Sequence, residues 1–123
     1  MDNNSLDLTK NKILNGNIEL YQPKVGFRVG IDSILLASSI NKYSKCMEFG
    51  SGSGIILVYL SKRFPSSKIL GIEKNIDLVN LAKNNLKINK ITKSSAEVLQ
   101  SNLGDDIFLR NNNNTFDRIV MNP

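Results

Sequence analysis

Three glycines at alternate positions, Gly50, Gly52 and Gly54, constrain this 123-residue chain more than any other feature. A short apolar strand-like run that carries one acid, Lys45–Phe49, precedes them, and a dense apolar run follows. Glycine is needed where the backbone turns sharply off a strand, adopts positive φ or leaves room for a group across the turn. The pattern therefore predicts a strand, a tight glycine turn and a buried helix whose first N–H groups face a ligand.

The glycine spacing separates the ligand classes that use such a turn. A phosphate loop ends in Gly-Lys-Ser/Thr, whereas Gly54 is followed by two isoleucines, which excludes a nucleoside triphosphate loop. A dinucleotide fold needs Gly-x-Gly-x-x-Gly, whose third glycine would stand where this chain has Ile55. A turn without a ligand is the remaining alternative, but it would leave the Glu48 carboxylate in a buried strand without a partner.

Composition bounds the other classes of function. Sixteen Lys and Arg against eleven Asp and Glu give a net charge of +5, which suits a phosphate-rich partner as well as an ordinary solvated surface. Cys46 is the single cysteine and histidine is absent, so we expect no disulfide, no metal and no histidine base. The polar N-terminus is unlike a signal peptide, and no apolar run approaches membrane-spanning length. We therefore expect a soluble, cytoplasmic protein that does not contact a membrane.

An N-terminal segment, residues 1–44, precedes the glycine unit. The dipeptide Asn15-Gly16 between two runs with apolar residues predicts a hairpin. Asp32 or Ser33 is expected to cap the helix that follows. The elements predicted in this segment are a loose stretch over 1–11, a hairpin over 12–22 and a helix through 34–40.

The remaining part, residues 45–123, alternates apolar strands with helices. Two apolar strands that are each followed by a helix imply parallel pairing with right-handed crossovers, so the fold class is α/β. The predicted strands are Lys45–Phe49, Lys68–Glu73, Ala96–Gln100 and Phe116–Met121. The predicted helices run from Gly54 to Arg63 and from Asn75 or Asp77 through Leu86, with a short helix or turn over 103–109 and an asparagine loop over 111–114.

The octapeptide from Met47 to Gly54, Met-Glu-Phe-Gly-Ser-Gly-Ser-Gly, resembles motif I of the class I S-adenosylmethionine-dependent methyltransferases. The resemblance implies a Rossmann-like methyltransferase sheet, of which this chain carries the N-terminal part with about four parallel strands. Glu48 would tie down the glycine-loop backbone or meet the donor's amino group, and Glu73 would accept its two ribose hydroxyls. The residues that the resemblance assigns to S-adenosylmethionine are Glu48, Gly50, Ser51, Gly52, Gly54, Glu73 and Asn102.

The dipeptide Asn122-Pro123 resembles the start of the Asn-Pro-Pro-Tyr/Phe motif of methyltransferases that act on exocyclic or amide nitrogens. Such a nitrogen is a poor nucleophile because its lone pair is delocalised, so the site must accept its N–H bonds. Asn122 Oδ1 and the backbone carbonyl of Pro123 would be these two acceptors, which makes them the catalytic residues that the resemblance implies. An ordinary turn after a strand is the alternative.

The segment from Leu14 to Ala37, together with the motifs above, resembles the small bacterial family that methylates N6 of the adenine beside the anticodon of a valine tRNA. The resemblance implies a tRNA or other nucleic-acid substrate. The chain departs from the family's pattern at two points. Asn102 stands where the family has an acid that contacts the donor's adenine. The sequence ends at Pro123, so the second proline and the aromatic residue of the catalytic motif have no counterpart. We therefore expect this part alone to be weak or inactive.

Other interpretations remain open at this point. The chain could be a donor-binding module that a separately encoded C-terminal half completes, or a degenerate fragment. A sibling enzyme acting on a protein glutamine or on guanine N2 of ribosomal RNA would share the same motifs. A nicotinamide dehydrogenase is the more distant alternative.

Overall fold

The computed structural model describes residues 7–26, 28, 30–102 and 115–123. The expected element over 103–109 and the asparagine loop over 111–114 lie outside these residues. The elements in chain order are β1 (Leu8–Ile13), β2 (Ile18–Pro23), α1 (Ile31–Ser39), β3 (Lys45–Phe49), α2 (Ile55–Arg63), β4 (Lys68–Glu73), α3 (Ile76–Ile88), β5 (Ala96–Gln100) and β6 (Arg118–Met121).

Strands β3 to β6 form a parallel sheet in the order β5-β4-β3-β6, which confirms the predicted α/β fold with four parallel strands. Phe49 at the end of β3 pairs with Ile72 and Met121, so the carboxyl ends of these strands meet at one edge. Loops at this edge form the binding crevice of open α/β sheets. The register thus brings the glycine turn, Glu73 and Asn122 to the same side of the molecule.

The fourth parallel strand, β6, begins at Arg118 and not at Phe116 as predicted. Directly before this strand, the Asp117 carboxylate accepts the backbone N–H groups of Ser44 and Lys45 at 2.8 and 3.0 Å. These bonds hold the pKa of the Asp117 carboxyl below its usual value. Asp117 therefore fastens the start of β6 to the start of β3.

The predicted hairpin is confirmed, but it is longer than expected. Residues 8–11 belong to β1, where Leu8 pairs with Pro23 and Asn11 with Leu20. The expectation that residues 1–11 are loose is therefore wrong for this stretch. Its polar residues are held by the hairpin partner and by Arg28, whose guanidinium donates to Thr9 Oγ1 at 2.9 Å.

Helix α1 begins at Ile31 after Gly30, and no side chain caps it. The prediction that Asp32 or Ser33 caps this helix is wrong, since both residues lie inside its first turn. The start of α3 agrees with the prediction, because the Asn75 side chain accepts the N–H of Asp77 at 2.9 Å. A side-chain cap of this kind is worth about 1 kcal/mol.

The core lies between the sheet and helix α2, which contacts α1, α3 and β4. These contacts on several sides confirm the prediction that the helix after the glycine turn is buried. Its buried apolar residues are Ile55, Ile56, Leu57, Val58 and Leu60. Burial of each such side chain contributes roughly 1.5–3 kcal/mol. Within the described ranges, no helix combines the length and the apolar character that a membrane span requires.

Candidate functional site

The turn between β3 and α2 has the backbone conformation that its glycines predict. The backbone φ angles of Gly50, Gly52 and Gly54 are 70°, 54° and 89°. Residues other than glycine rarely adopt φ angles in this region. A Cβ built at Gly50 or Gly52 would meet nothing within 4 Å, so this side of the turn is open. A Cβ at Gly54 would lie 3.0 Å from that of Ala82, so the third glycine allows α2 and α3 to pack closely.

The glycine turn is held against the end of strand β4. Gly50 and Ser51 donate their backbone N–H groups to the carbonyl of Ile72 at 2.9 and 3.1 Å. A Cβ built at Gly71 would lie 2.9 Å from the Cβ of Ser51. Gly71 was not among the predicted site residues, although a glycine inside a strand is a known sign of close backbone approach.

Glu73, at the end of β4, organises the residues around the turn. Its Oε2 accepts the N–H of Gly52 at 2.9 Å, and its Oε1 accepts the N–H of Asn75 at 3.0 Å. The side chain is buried but reaches the surface, with 9 % of the residue exposed. One carboxylate therefore connects the end of β4, the glycine turn and the start of α3.

Glu48, next to the end of β3, is a buried acid with one carboxylate oxygen left unpaired within the described part of the chain. The residue is 2 % exposed, and its Oε1 has no hydrogen-bond partner among the described residues. Burial, and to a smaller extent the charge of Glu73, raises the pKa of the Glu48 carboxyl well above its usual value. Glu48 does not bond the glycine-loop backbone, which was the first of its two predicted roles, because Glu73 takes that place. Such an acid is stabilised by a proton or by a cationic partner.

Asn102 and Asn122 extend the same edge of the sheet on either side. The N–H of Ser101 donates to the carbonyl of Glu73 at 3.0 Å, which places Asn102 beside the end of β4. On the other side, the Asn122 Nδ2 donates to the Ser33 hydroxyl of α1 at 2.9 Å. Pro123 follows directly. The structure thus brings together the predicted residues of all four strand ends.

Asn85 is a connecting residue that the sequence analysis missed. It is fully buried on α3, where its Oδ1 accepts from the N–H of Tyr21 at 2.8 Å and its Nδ2 donates to the Tyr21 carbonyl at 3.0 Å. The same Nδ2 donates to the carbonyl of Ser53 at 2.8 Å. The signal available in the sequence was a polar residue within the apolar stripe of α3. Asn85 joins the hairpin to the glycine turn.

A second concave feature is a groove of about 640 Å³ between α3 and β5. Its lining includes Lys83, Lys87, Lys90 and Lys93 around apolar side chains, but neither the glycines nor the buried acids of the turn. Convergent polar groups and a strongly shifted pKa are the signs of a functional site. These signs place the candidate site at the glycine turn and not in the groove.

Comparison with known proteins identifies relatives of the chain. The family model described as the methyltransferase small domain matches residues 27–123. A tRNA1(Val) (adenine(37)-N6)-methyltransferase of Porphyromonas gingivalis is 32 % identical over 117 residues, which cover 85 % of this chain and 44 % of that protein. A release factor glutamine methyltransferase of Aliivibrio fischeri is 34 % identical over 77 residues, which cover 63 % of this chain and 25 % of that protein. The chain thus spans less than half the length of these relatives.

Solved structures share the fold. M. capricolum TrmK, in complex with S-adenosyl-homocysteine, superposes with a TM-score of 0.64 at 15 % identity, covering 77 % of this chain and 41 % of that chain. At this identity the likeness concerns the arrangement of strands and helices. It agrees with the parallel sheet and crossovers predicted above.

Proposed function

We propose, from the premise that this chain belongs to the methyltransferase small domain family, that it binds S-adenosylmethionine and serves methyl transfer to a nitrogen atom. The observation that carries the proposal is the pair of acids at the open glycine turn. Glu48 is buried with Oε1 unpartnered, and Glu73 holds the turn that faces the same edge. This arrangement suits a ligand with a cationic group and hydroxyls better than one with phosphates.

The residues present fit such a donor. The open side of Gly50 and Gly52 leaves room beside the turn, and the buried Glu48 carboxylate would meet the donor's ammonium group. Glu73 would accept bonds from ribose hydroxyls through lone pairs that its backbone bonds leave unused, and Asn102 lies beside it for the adenine. Ser51 and Gly54 complete the proposed set through the turn and the helix start. When bound, S-adenosylmethionine supplies an electrophilic methyl group, so the protein's task is to position the acceptor.

The acceptor side of the proposed site consists of Asn122 and Pro123. The Nδ2 of Asn122 donates a hydrogen bond to Ser33. The Oδ1 of Asn122 would therefore accept a hydrogen bond from an N–H of the target nitrogen. The backbone carbonyl of Pro123 would accept the second N–H. Two such acceptors favour a tetrahedral nitrogen with a localised lone pair, which is the form that attacks a methyl group.

We assign adenine N6 in tRNA as the preferred substrate. The support is the relative of Porphyromonas gingivalis and a net charge of +5, which suits a polyanion. Transfer to a protein glutamine is the second candidate, supported by the relative of Aliivibrio fischeri. A C-terminal half that covers β6, on this polypeptide or on a separate one, is a further proposal. It is supported by Ile119 and Met121, which are 61 % and 51 % exposed on β6, a strand paired on one side within the described residues.

The test is transfer of a tritiated methyl group from S-adenosylmethionine under single-turnover conditions, with the chain in excess because slow transfer is expected. Total tRNA from cells that lack the modification, ribosomal RNA and release factor are offered separately. We expect label in tRNA, recovered as N6-methyladenosine, and at least tenfold less with Asn122→Ala. Label only in release factor would move the assignment to glutamine, and no label in any acceptor would contradict methyl transfer by this chain.

A further inference from the structure

Ser33 and Asn122 are joined across 89 residues of sequence by one hydrogen bond, from Asn122 Nδ2 to Ser33 Oγ at 2.9 Å. Ser33 is 4 % exposed in the first turn of α1, a helix outside the parallel sheet. We propose that Ser33 is a positioning residue for the transfer reaction. Its hydroxyl holds the Asn122 amide in the orientation that turns Oδ1, and not Nδ2, toward the target nitrogen.

An asparagine needs such a partner because its amide has two ends of similar size and opposite polarity. The terminal torsion of Asn is broad and roughly two-fold, so the torsion itself selects neither orientation. The oxygen accepts hydrogen bonds and the nitrogen donates two. With Nδ2 facing the substrate, a donor would oppose the N–H groups of the target amine. In the structure the Ser33 hydroxyl accepts from Nδ2, and this bond holds the amide in the orientation that leaves Oδ1 for the substrate; the reverse orientation would require the hydroxyl to donate to Oδ1 instead.

The helix that carries Ser33 is itself held in place. The Arg63 guanidinium at the end of α2 donates to the carbonyls of Ser38 and Ile40 at 3.0 and 2.8 Å, at the C-terminal end of α1. Helix α1 also packs against α2, which begins directly after the glycine turn. The Ser33 hydroxyl therefore has a set position relative to the edge of the sheet where Asn122 lies.

Two serines at the other end of α1 differ from Ser33 in the partners of their hydroxyl groups. Ser38 and Ser39 are exposed, and their hydroxyls donate to carbonyls three residues earlier in the same helix, at 2.8 and 2.7 Å. These hydroxyls are bonded within their own helix and do not orient a distant side chain. Ser39→Ala is therefore a matched control for Ser33→Ala, since both remove one hydroxyl from α1.

The first measurement needs no activity and follows the Asn122 side-chain amide by NMR in the full chain labelled with ¹⁵N-asparagine. The Asn122→Asp variant, which lacks this amide, identifies its pair of signals. In Ser33→Ala we expect the signals to shift and the exchange of the bonded proton with solvent to accelerate about tenfold. Ser39→Ala should leave them unchanged, and Ser33→Thr, which keeps the hydroxyl, should resemble the unsubstituted chain. Unchanged Asn122 signals in Ser33→Ala would overturn the proposal.

The second measurement rests on the proposed function and uses the tRNA transfer assay. We expect Ser33→Ala to lower kcat about tenfold with little change in KM or in the affinity for S-adenosylhomocysteine, because the substitution affects orientation and not binding. Recovery of kcat in Ser33→Thr would support the role of the hydroxyl, and an unchanged kcat in Ser33→Ala would overturn it. Absence of transfer by the unsubstituted chain would contradict the proposed function, whereas the amide signals would still decide the orientation of Asn122.

Discussion

Glu73 accepts the backbone N–H of Gly52 through Oε2 at 2.9 Å, so the acid at the end of β4 shapes the turn that follows β3. Its other oxygen accepts the N–H of Asn75 at 3.0 Å, at the start of α3. A carboxylate with both oxygens bonded to backbone N–H groups is held in one orientation. The donor site proposed here therefore depends on Glu73 before any ligand binds.

Replacement of this acid tests whether the donor site depends on it, through the turn that it holds and through its proposed contact with ribose hydroxyls. We expect Glu73→Ala to weaken S-adenosylhomocysteine binding about 10- to 100-fold, since hydrogen bonds to charged groups contribute about 1.5–3 kcal/mol. Isothermal titration calorimetry measures the change. The control is Glu97→Ala on β5, whose carboxylate lies 3.4 Å from Lys68 and away from the turn. Equal affinity of both variants would contradict the assignment.

The raised pKa of Glu48 predicts how stability depends on pH. The ordinary pKa is 4.5, and the folded-state value lies well above it. Between these two values the folded chain holds a proton that the unfolded chain has released, so the free energy of unfolding falls as pH rises. We expect Glu48→Gln, which cannot ionise, to reduce this decline and to be more stable than the original chain at pH 7, but to bind S-adenosylhomocysteine more weakly.

Urea unfolding between pH 4.5 and 8 measures this effect. The control Glu97→Gln makes the same chemical change at a partly exposed position. It should leave the decline in place. A decline in Glu48→Gln as steep as in the original chain would show that Glu48 does not titrate as the buried acid described above.

The third glycine of the turn is required for packing as well as for conformation. In Gly54→Ala the new Cβ would lie 3.0 and 3.2 Å from Cβ and Cα of Ala82, in a backbone with φ of 89°. Gly26→Ala is a matched control, because Gly26 has φ of 98° and a Cβ there would meet nothing within 4 Å. We expect a loss of about 1–2 kcal/mol for the control from backbone strain and a further 1–3 kcal/mol for Gly54→Ala from overpacking. Equal losses in urea unfolding would contradict the packing role.

Asn85 should be the residue through which the hairpin stabilises the glycine turn. Asn85→Ala removes the bonds to Tyr21 and Ser53 and leaves their partly buried backbone groups unpaired, at a cost of about 1–3 kcal/mol. Hydrogen exchange should show faster exchange of the Tyr21 amide. The neighbouring Asn84→Ala, at an exposed position on the same helix, should change stability by less than about 0.5 kcal/mol. A protected Tyr21 amide in Asn85→Ala would contradict this role.

The parallel sheet and the glycine turn could be predicted because their signals are local. Apolar runs mark β3 and β4, and the alternate glycines indicate a turn between Phe49 and Ile55 whose backbone can adopt positive φ. The start of β1 could not be predicted in this way. Residues 8–11 are mostly polar, and only their pairing with β2 makes them a strand.

The division of roles within the site was not accessible from the sequence. Glu48 lies one residue before the end of β3 and Glu73 ends β4, but which of them bonds the glycine turn depends on side-chain orientation in three dimensions. The bond between Ser33 and Asn122 joins distant parts of the chain, and no spacing rule relates them. The helix cap expected from Asp32 or Ser33 is absent because α1 begins earlier, at Ile31, so both residues lie inside its first turn.

The most direct test of the donor site is an NMR titration of the ¹⁵N-labelled chain with S-adenosylhomocysteine, with NADH as the competing ligand class. The account predicts saturable shifts of the Gly50, Gly52 and Glu73 amides with S-adenosylhomocysteine and none with NADH. Shifts confined to the lysine-lined groove between α3 and β5, or saturable shifts of the glycine turn with NADH in place of S-adenosylhomocysteine, would contradict it.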